Sequence, residues 1–209
     1  MPSVDAFQAL TPARIAAVVA RAQSVACLWA DLSYLQRAGP LIELRRLIAQ
    51  EAREIARTIA RGTGKPMIDA LRFEVARVVD TLDACVAFAT DDPHARPLAA
   101  RFAPPRLLDR SGAAIPPAGP RAVVCVIAPV GSPFELALTP AVLALTAGSA
   151  VIVKACSSVP KLGVLIGYLL DEAFADFPGL VQVVHGSREI SAALMNFEGL
   201  DAIACSGTT

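Results

Sequence analysis

The sequence of 209 residues has no net charge with which to attract an anionic partner. Its nineteen lysines and arginines are balanced by nineteen aspartates and glutamates. Nucleic acids and anionic lipid surfaces attract proteins through an excess of basic side chains. We therefore expect neither a nucleic acid nor a membrane as a partner.

Histidine is scarce and cysteine is scattered, which excludes the common metal-site patterns. His94 and His185 lie far apart in the sequence, and no two cysteines have the spacing of zinc ligands. An odd number of thiols, mostly in apolar surroundings, indicates a reducing compartment, so we expect a cytoplasmic protein without a metal. The five thiols are Cys27, Cys85, Cys125, Cys156 and Cys205.

Targeting signals and glycine-rich phosphate loops are also missing. The N-terminal stretch contains Asp5, Arg14 and Arg21 and therefore lacks the uncharged core of a secretory signal. Neither a GxGxxG nor a Walker-type loop occurs, which excludes the commonest phosphate-binding fingerprints.

One uncharged run, from Leu136 to Val153, is long enough to cross a bilayer. Pro140 and Gly148 interrupt it, and a short helix followed by a buried parallel strand is equally apolar. The pattern favours a helix and a strand over a transmembrane segment.

Apolar residues at helical spacing predict an N-terminal helical part over residues 1–91. We expect helices over Ala16–Leu32, from about Leu41 to a stop near Gly62 and Gly64, and over roughly Ile68–Phe88. Residues 92–120 are rich in proline, arginine and glycine and show no helical period, which is typical of a linker or extended arm.

Residues 121–209 alternate short β-branched runs with helical patterns, which is typical of a parallel α/β sheet. Helices are expected at about 133–147, 158–175 and 187–197, the second capped by Ser157 or Ser158, with Pro160 in its first turn. The strands are expected at Arg121–Ala128, Ser149–Lys154, Leu180–Val184 and Asp201–Cys205.

Ligands of such sheets bind where the strands end, which makes the turns after them candidate sites. Lys154 ends a strand and could hold a ribose hydroxyl or a phosphate, although a lysine that merely ends a strand fits the spacing equally. Ser206-Gly207-Thr208 offers hydroxyls and a flexible backbone that suit an anion. Cys156 is interpreted as a small buried thiol and Cys205 as a core residue.

The order of several motifs resembles that of the aldehyde dehydrogenase superfamily. The helical part carries Trp29, Arg37, a TGKP segment at 63–66 and EVAR at 74–77. The segment VVCVIAPVGSPFELALTPAVLALTAGSAVIVKACSSVP then resembles the family's GVVxxIxPWNxP and KPSE region. VQVVHG and DAIACSGTT are similar to its VNVVxG and FTGST motifs. The resemblance implies N-terminal helices plus an incomplete Rossmann-like parallel sheet that binds NAD or NADP.

The resemblance also implies roles for individual residues. Lys154 matches the lysine that binds the adenosine ribose, and Gly186 would let the adenine approach. Gly207 and Thr208 match residues that meet the pyrophosphate. The backbone that would line the nicotinamide side is that of Ile127, Ala128 and Pro129.

Three departures from the family pattern bear on activity. Gly131 occupies the position of the asparagine whose side chain stabilises the oxyanion, and Val130 replaces the preceding tryptophan. Ser157 occupies the position of the glutamate that accepts ribose hydroxyls, so we expect it to be among the cofactor-binding residues. The sequence ends before the family's general-base glutamate and nucleophilic cysteine, and none of its own cysteines matches the nucleophile.

By resemblance, the reaction is the NAD(P)-dependent oxidation of an aldehyde to a carboxylic acid. We expect no catalytic residue among these 209, weak cofactor binding, and no activity of the chain alone. The alternatives are a non-catalytic nucleotide-binding or scaffold protein, or one half of a split enzyme. A second copy or a complementing polypeptide is the expected partner.

Overall fold

In the computed structural model, which describes residues 10–89 and 123–206, a layer of long helices precedes a parallel sheet. The α/β class expected from the sequence is confirmed. The arm at 92–120 lies outside the described residues, so the boundaries 1–91, 92–120 and 121–209 stay predictions. The elements are α1 Pro12–Ala30, α2 Tyr34–Thr63, α3 Met67–Ala70, a π-helical turn Leu71–Val75, α4 Ala76–Ala89, β1 Val123–Ile127, α5 Glu135–Ala147, β2 Ala150–Lys154, α6 Pro160–Ala173, β3 Val181–Val184, α7 Arg188–Met195 and β4 Ala202–Cys205.

The four strands pair in the order β3-β2-β1-β4, all parallel. Val124 of β1 pairs with Val151 on one side and Ala202 on the other. Right-handed crossovers place α5 and α6 on one face and α7 on the opposite face. The side chain of Asp201 accepts a hydrogen bond from the Val123 backbone at 2.7 Å, which aligns the starts of β4 and β1.

Helix α1 covers the face of the sheet that carries α7. Its buried residues recur at helical spacing and form the apolar stripe that packs there. Ile15, Val19 and Trp29 are among its buried residues. In the described part of the chain, α1 is the one helix long and apolar enough to cross a membrane by length and composition, a test that core helices also pass. The run Leu136–Val153 is divided, as expected, at Gly148.

Helix α2 packs against α4, α5 and α6 and forms an outer layer over the second face of the sheet. Ser33 begins it with a capping box, in which its side chain and that of Gln36 bond each other's backbone N–H. Gly64 ends it in the left-handed region, with φ of 77°. The expected stop at Gly62–Gly64 is therefore confirmed.

The third expected helix is interrupted by a π-helical turn at Leu71–Val75. A π turn accommodates one extra residue, and it occurs mostly as a single turn, frequently at functional sites. Glu74 lies in this turn and is fully buried. Apolar periodicity predicts a regular helix through this segment because it carries no signal for the extra residue.

Two details of the sheet region differ from expectation. Val159 is the N-cap of α6 and makes no side-chain cap bond, so neither Ser157 nor Ser158 caps it, although Pro160 does occupy the first turn. Cys205 is exposed rather than part of the core, and Ile203 is 40% exposed. Both residues lie on β4, an edge strand among the described residues. The expected association with a second copy or a complementing polypeptide stays a prediction.

Replacing Trp29 with phenylalanine tests how α1 is attached to the core. The indole N–H donates to the Leu145 carbonyl at 2.8 Å, and the ring packs edge-on against Phe174 and Phe177. Trp29→Phe removes this bond and leaves part of the space empty, while the Leu145 carbonyl keeps its bond from the Gly148 N–H at 3.0 Å. We therefore expect a loss of about 1–3 kcal/mol in urea unfolding followed by circular dichroism. Leu28→Ala, at a site that is 66% exposed, is the control and should change stability by less than about 0.5 kcal/mol. Equal losses of stability in the two variants would contradict the view that Trp29 attaches α1 to the core.

Candidate functional site

The candidate site lies at the carboxyl ends of the strands, where the sheet reverses its winding. The chain proceeds outward from β1 to β2 and β3, and the connection from β3 then runs back across the sheet to place β4 on the other side of β1. Such a switch point leaves a crevice outside the strand ends, and ligands of parallel sheets bind there. The segments at this edge are the turn 128–134 after β1, residues 155–159 after β2, and residues 185–187 after β3.

The turn after β1 presents backbone rather than side chains to the crevice. The Ala128 N–H donates to the Lys154 carbonyl at 3.0 Å, which extends the β1–β2 ladder by one residue. Ile127 and Ala128 are buried, Pro129 is half-buried, and Val130 and Gly131 are exposed. A Cβ atom at Gly131 would meet nothing within 4 Å, so the position could accommodate a side chain but provides no donor.

Lys154 ends β2 as a buried cation with only 4% of its surface exposed. Burial lowers the pKa of this amine, and the nearby Cys156 thiol partly offsets the effect. None of the ion pairs between described residues involves Lys154. The stem of the side chain is covered, whereas the ammonium group bonds none of the described residues and is not fully enclosed, so this lysine is suited to a ligand rich in oxygen atoms.

The segment after β2 turns its polar atoms outward and its thiol inward. Ser157 and Ser158 are exposed, whereas Cys156 is buried, as expected from the sequence. The Val159 N–H donates to the Cys156 carbonyl at 3.3 Å and closes the turn. The structure therefore places a free hydroxyl at Ser157 within four residues of Lys154.

The segment after β3 leads directly into α7. Ser187 is the N-cap residue, and its hydroxyl accepts a hydrogen bond from the Glu189 N–H at 3.2 Å. A Cβ atom at Gly186 would lie 2.5 Å from Cγ1 of Ile190. Glycine is required there for the first turn of α7 to pack against the strand end. Gly207 and Thr208, the residues expected to meet the pyrophosphate, lie outside the described residues.

Two residues that motif matching gave no role are prominent here. His185 packs its ring over Gly163, where a Cβ atom would lie 2.5 Å from the ring carbon Cε1. Burial, helped by the charge of Lys154, lowers the pKa of His185 to about 4. Glu74 is the second, because its carboxylate contacts the backbone of Phe134 at the far end of the β1 turn. Glu74 lies on the apolar stripe of Leu71 and Val78, and an acid on such a stripe is the signal that could have identified it.

A large cleft extends from His185 along the outer edge of β3, away from β1. It encloses about 580 Å³ between α1 and α6 and is lined by Arg14, Arg21, Asp171 and Gln182 among others. Lys154 and the β1 turn do not line it. The strand-end crevice is therefore identified by its chemistry and by the sheet topology rather than by enclosed volume.

Comparison with known proteins identifies the fold and its family. The sequence profile of the aldehyde dehydrogenase family matches residues 3–209. The chain belongs to the aldehyde dehydrogenase family. The superfamily resemblance inferred from the motif order is thus confirmed.

Two curated relatives of this aldehyde dehydrogenase chain act on different substrates by name. It is 31% identical to 4,4'-diapolycopene aldehyde oxidase of Methylomonas sp over 199 residues, which cover 91% of this chain and 35% of that protein. It is also 31% identical over 180 residues to N-succinylglutamate 5-semialdehyde dehydrogenase of Escherichia coli strain K12, covering 86% of this chain and 34% of the relative. The chain spans about a third of the length of these relatives.

Solved aldehyde dehydrogenase structures share the fold at low identity. An NAD-dependent benzaldehyde dehydrogenase from Corynebacterium glutamicum superposes with a TM-score of 0.74 at 21% identity, over 97% of this chain and 42% of that one. Glyceraldehyde-3-phosphate dehydrogenase GapN from Methanocaldococcus jannaschii, complexed with NADP, superposes with a TM-score of 0.69 at 18% identity, over 94% of this chain and 42% of that one. At these identities the likeness establishes the fold alone.

The aldehyde dehydrogenase family uses a nicotinamide cofactor, and the residues of this crevice fit such a group. Lys154 is a buried cation that pairs with no carboxylate in the described part of the chain. Ser157 and Ser158 add exposed hydroxyls, and the backbone at Val130 and Gly131 is open to solvent. A ribose with adjacent phosphates supplies the oxygen atoms that these groups can bond.

The neutral state of His185 predicts that acid destabilises the fold. Its pKa in the folded chain, about 4, lies below its usual value of 6.5, so the unfolded chain binds the extra proton between these values. Stability should fall as the pH decreases from about 6.5 and lose about 2–3 kcal/mol by pH 4. His185→Gln should flatten this part of the curve in urea unfolding measured across pH. Parallel curves for the two proteins would show that His185 does not contribute.

Proposed function

We propose that this chain forms the nicotinamide-cofactor-binding part of an aldehyde dehydrogenase that oxidises an aldehyde to a carboxylic acid with NAD or NADP. The observation that carries the proposal is Lys154, a largely covered lysine at the switch point of the sheet that pairs with no carboxylate among residues 10–89 and 123–206. All five cysteines are free thiols in the structure, which supports a cytoplasmic location.

Each segment of the crevice has a distinct task in this proposal. The nicotinamide group supplies the hydride acceptor when it is bound. Lys154 bonds the hydroxyls of the adenosine ribose through its ammonium group. The backbone of Ile127, Ala128 and Pro129 lines the nicotinamide side, and Gly186 borders the adenine. Gly207 and Thr208 are assigned to the pyrophosphate from the motif match.

Ser157 influences which nicotinamide cofactor is accepted. A carboxylate at this position would accept bonds from the ribose hydroxyls and would repel a phosphate on the 2′ oxygen. A serine hydroxyl forms weaker bonds with the ribose and carries no charge. We therefore propose weak binding that does not discriminate against NADP.

Gly131 limits what this turn contributes to catalysis. It is exposed and lacks a side chain, so it offers no amide donor to a developing oxyanion. Removing one such donor typically costs about 3–4 kcal/mol of transition-state stabilisation. The role proposed for these residues is therefore to bind and orient the cofactor rather than to carry the chemical step.

Titration calorimetry with NAD and NADP tests the binding site. Lys154→Met removes the ammonium group and should weaken both cofactors by at least about tenfold. Ser157→Glu should strengthen NAD binding and weaken NADP binding, so that their affinity ratio shifts by about tenfold or more. Lys161→Met, at an exposed lysine in the first turn of α6, is the matched control and should leave both affinities unchanged.

Rejection of NADP by the unmodified chain would contradict the role of Ser157. Equal losses in Lys154→Met and Lys161→Met would mean that general charge, and not the buried lysine, attracts the cofactor.

Assayed alone, the 209 residues should not oxidise aldehydes. Gly131 lacks the oxyanion donor, and the thiols of Cys85, Cys125 and Cys156 are buried, while burial raises the pKa of Cys125 to about 12. Formation of NAD(P)H should be measured with short and aromatic aldehydes. Turnover above about 0.1 per second, already far below the usual enzyme median near 10, would refute the expectation.

A further inference from the structure

A single carboxylate connects the N-terminal helices to the turn that follows β1. Glu74 lies in the π-helical turn and none of its surface is exposed. One carboxylate oxygen, Oε1, accepts a bond from Nζ of Lys65 at 2.6 Å. The other, Oε2, accepts a bond from the backbone N–H of Phe134 at 2.9 Å. Both oxygens therefore have a partner, which is the condition for burying a carboxylate without a large penalty.

The position of Phe134 gives this contact its significance. Phe134 is the N-cap residue of α5, and no side chain of its own segment caps that helix. Its free N–H is one of the donors that every helix start leaves unpaired, and a negative charge there is favoured by the helix dipole. Glu74 thus acts as an N-terminal anchor supplied from a different part of the chain.

The turn between β1 and α5 is fixed at its two ends by bonds to other segments. At the β1 end, the Ala128 N–H donates to the Lys154 carbonyl at 3.0 Å. At the α5 end, Phe134 bonds to Glu74 and is itself fully buried. Between these points, Val130 and Gly131 are exposed. The path of the exposed backbone depends on where its two ends are fixed.

Further charged side chains lie near Glu74. Glu135 follows Phe134 directly, and burial raises the pKa of its carboxyl, with the charges of Arg77, Glu74 and Lys65 acting on it as well. Among these four groups Glu74 is fully buried, Glu135 and Lys65 are half-buried, and Arg77 is exposed. Lys65 is 29% exposed at its side chain and compensates Glu74 directly.

We propose that Glu74, held in place by Lys65, is a positioning residue that fixes the β1–α5 turn for the nicotinamide side of the cofactor. The consequence for the cofactor rests on the proposed function, whereas the anchoring of the turn does not. Glu74 is fully buried, so its effect on the turn is exerted through the Phe134 N–H.

Two double variants isolate the acceptor from the charge. Lys65→Met with Glu74→Gln removes both charges but keeps an amide oxygen that can accept the Phe134 N–H. Lys65→Met with Glu74→Leu removes both charges and the acceptor while keeping a similar volume. Neither leaves an uncompensated charge in the core, which favours folding of both. Glu43→Gln breaks an exposed ion pair with Arg46 on α2 and is the control.

Hydrogen exchange of single amides, followed by NMR on the full chain, is the first readout. In the leucine variant, the Phe134 amide should exchange about tenfold faster or more, relative to Ile152 in the central strand β2. The glutamine variant and Glu43→Gln should stay within about threefold of the unmodified chain. A change of the same size at Phe134 and Ile152 would reveal a loss of global stability only and would overturn the proposal. Equal protection of Phe134 in both double variants would overturn it too.

Calorimetry with NAD and NADP on the same proteins is the second readout. The leucine variant should bind the cofactors at least about fivefold more weakly than the glutamine variant. Unchanged affinity together with faster Phe134 exchange would overturn the link between the anchor and the cofactor. If the unmodified chain binds neither nucleotide, the proposed function fails, and the exchange comparison still decides whether Glu74 anchors the turn.

Discussion

The parallel sheet must be covered on both of its faces, and the rest of the structure follows from this requirement. β2 is buried along its whole length, from Ala150 to Lys154, because helices lie against both of its sides. Helices α5 and α6 cover one face through their crossovers, as connections between parallel strands do. α1 comes from the start of the chain to cover the other face, and Trp29 ties it to the end of α5.

Covering the sheet leaves its two ends chemically different. At the amino ends, the indole of Trp29 and the carboxylate of Asp201 bond to backbone groups and complete the ladder and helix ends. At the carboxyl ends, the charged residues Lys154 and Glu74 are buried, and the Glu74 carboxylate accepts a bond from the Phe134 N–H. A buried charge also lies at the amino ends, where Arg37 donates to the Thr146 carbonyl at 2.9 Å. The carboxyl ends differ in that the ammonium group of Lys154 bonds none of the described residues.

The helical layer therefore contributes to the site as well as to stability. Glu74 belongs to a helical segment that packs mainly on α2, α4 and α5, yet it fixes one end of the turn after β1. Its partner Lys65 follows the glycine that ends α2, and Gly64 adopts a positive φ that lets the chain reverse there. A helix end, a π turn and a strand end thus meet around one carboxylate.

The sequence by itself determined the class of fold and the position of Lys154, because strand and helix periodicity depend on neighbouring residues. It also determined where α2 stops, since only glycine adopts a positive φ without strain. Tertiary structure decided what no local pattern contains. Val159 is the N-cap residue of α6 in place of the expected Ser157 or Ser158, and Cys205 is exposed at the end of β4. Glu74 has two partners, 9 and 60 residues away along the chain. Burial and pairing across such separations depend on which helices and strands contact each other in the folded chain. Local sequence patterns do not specify those contacts.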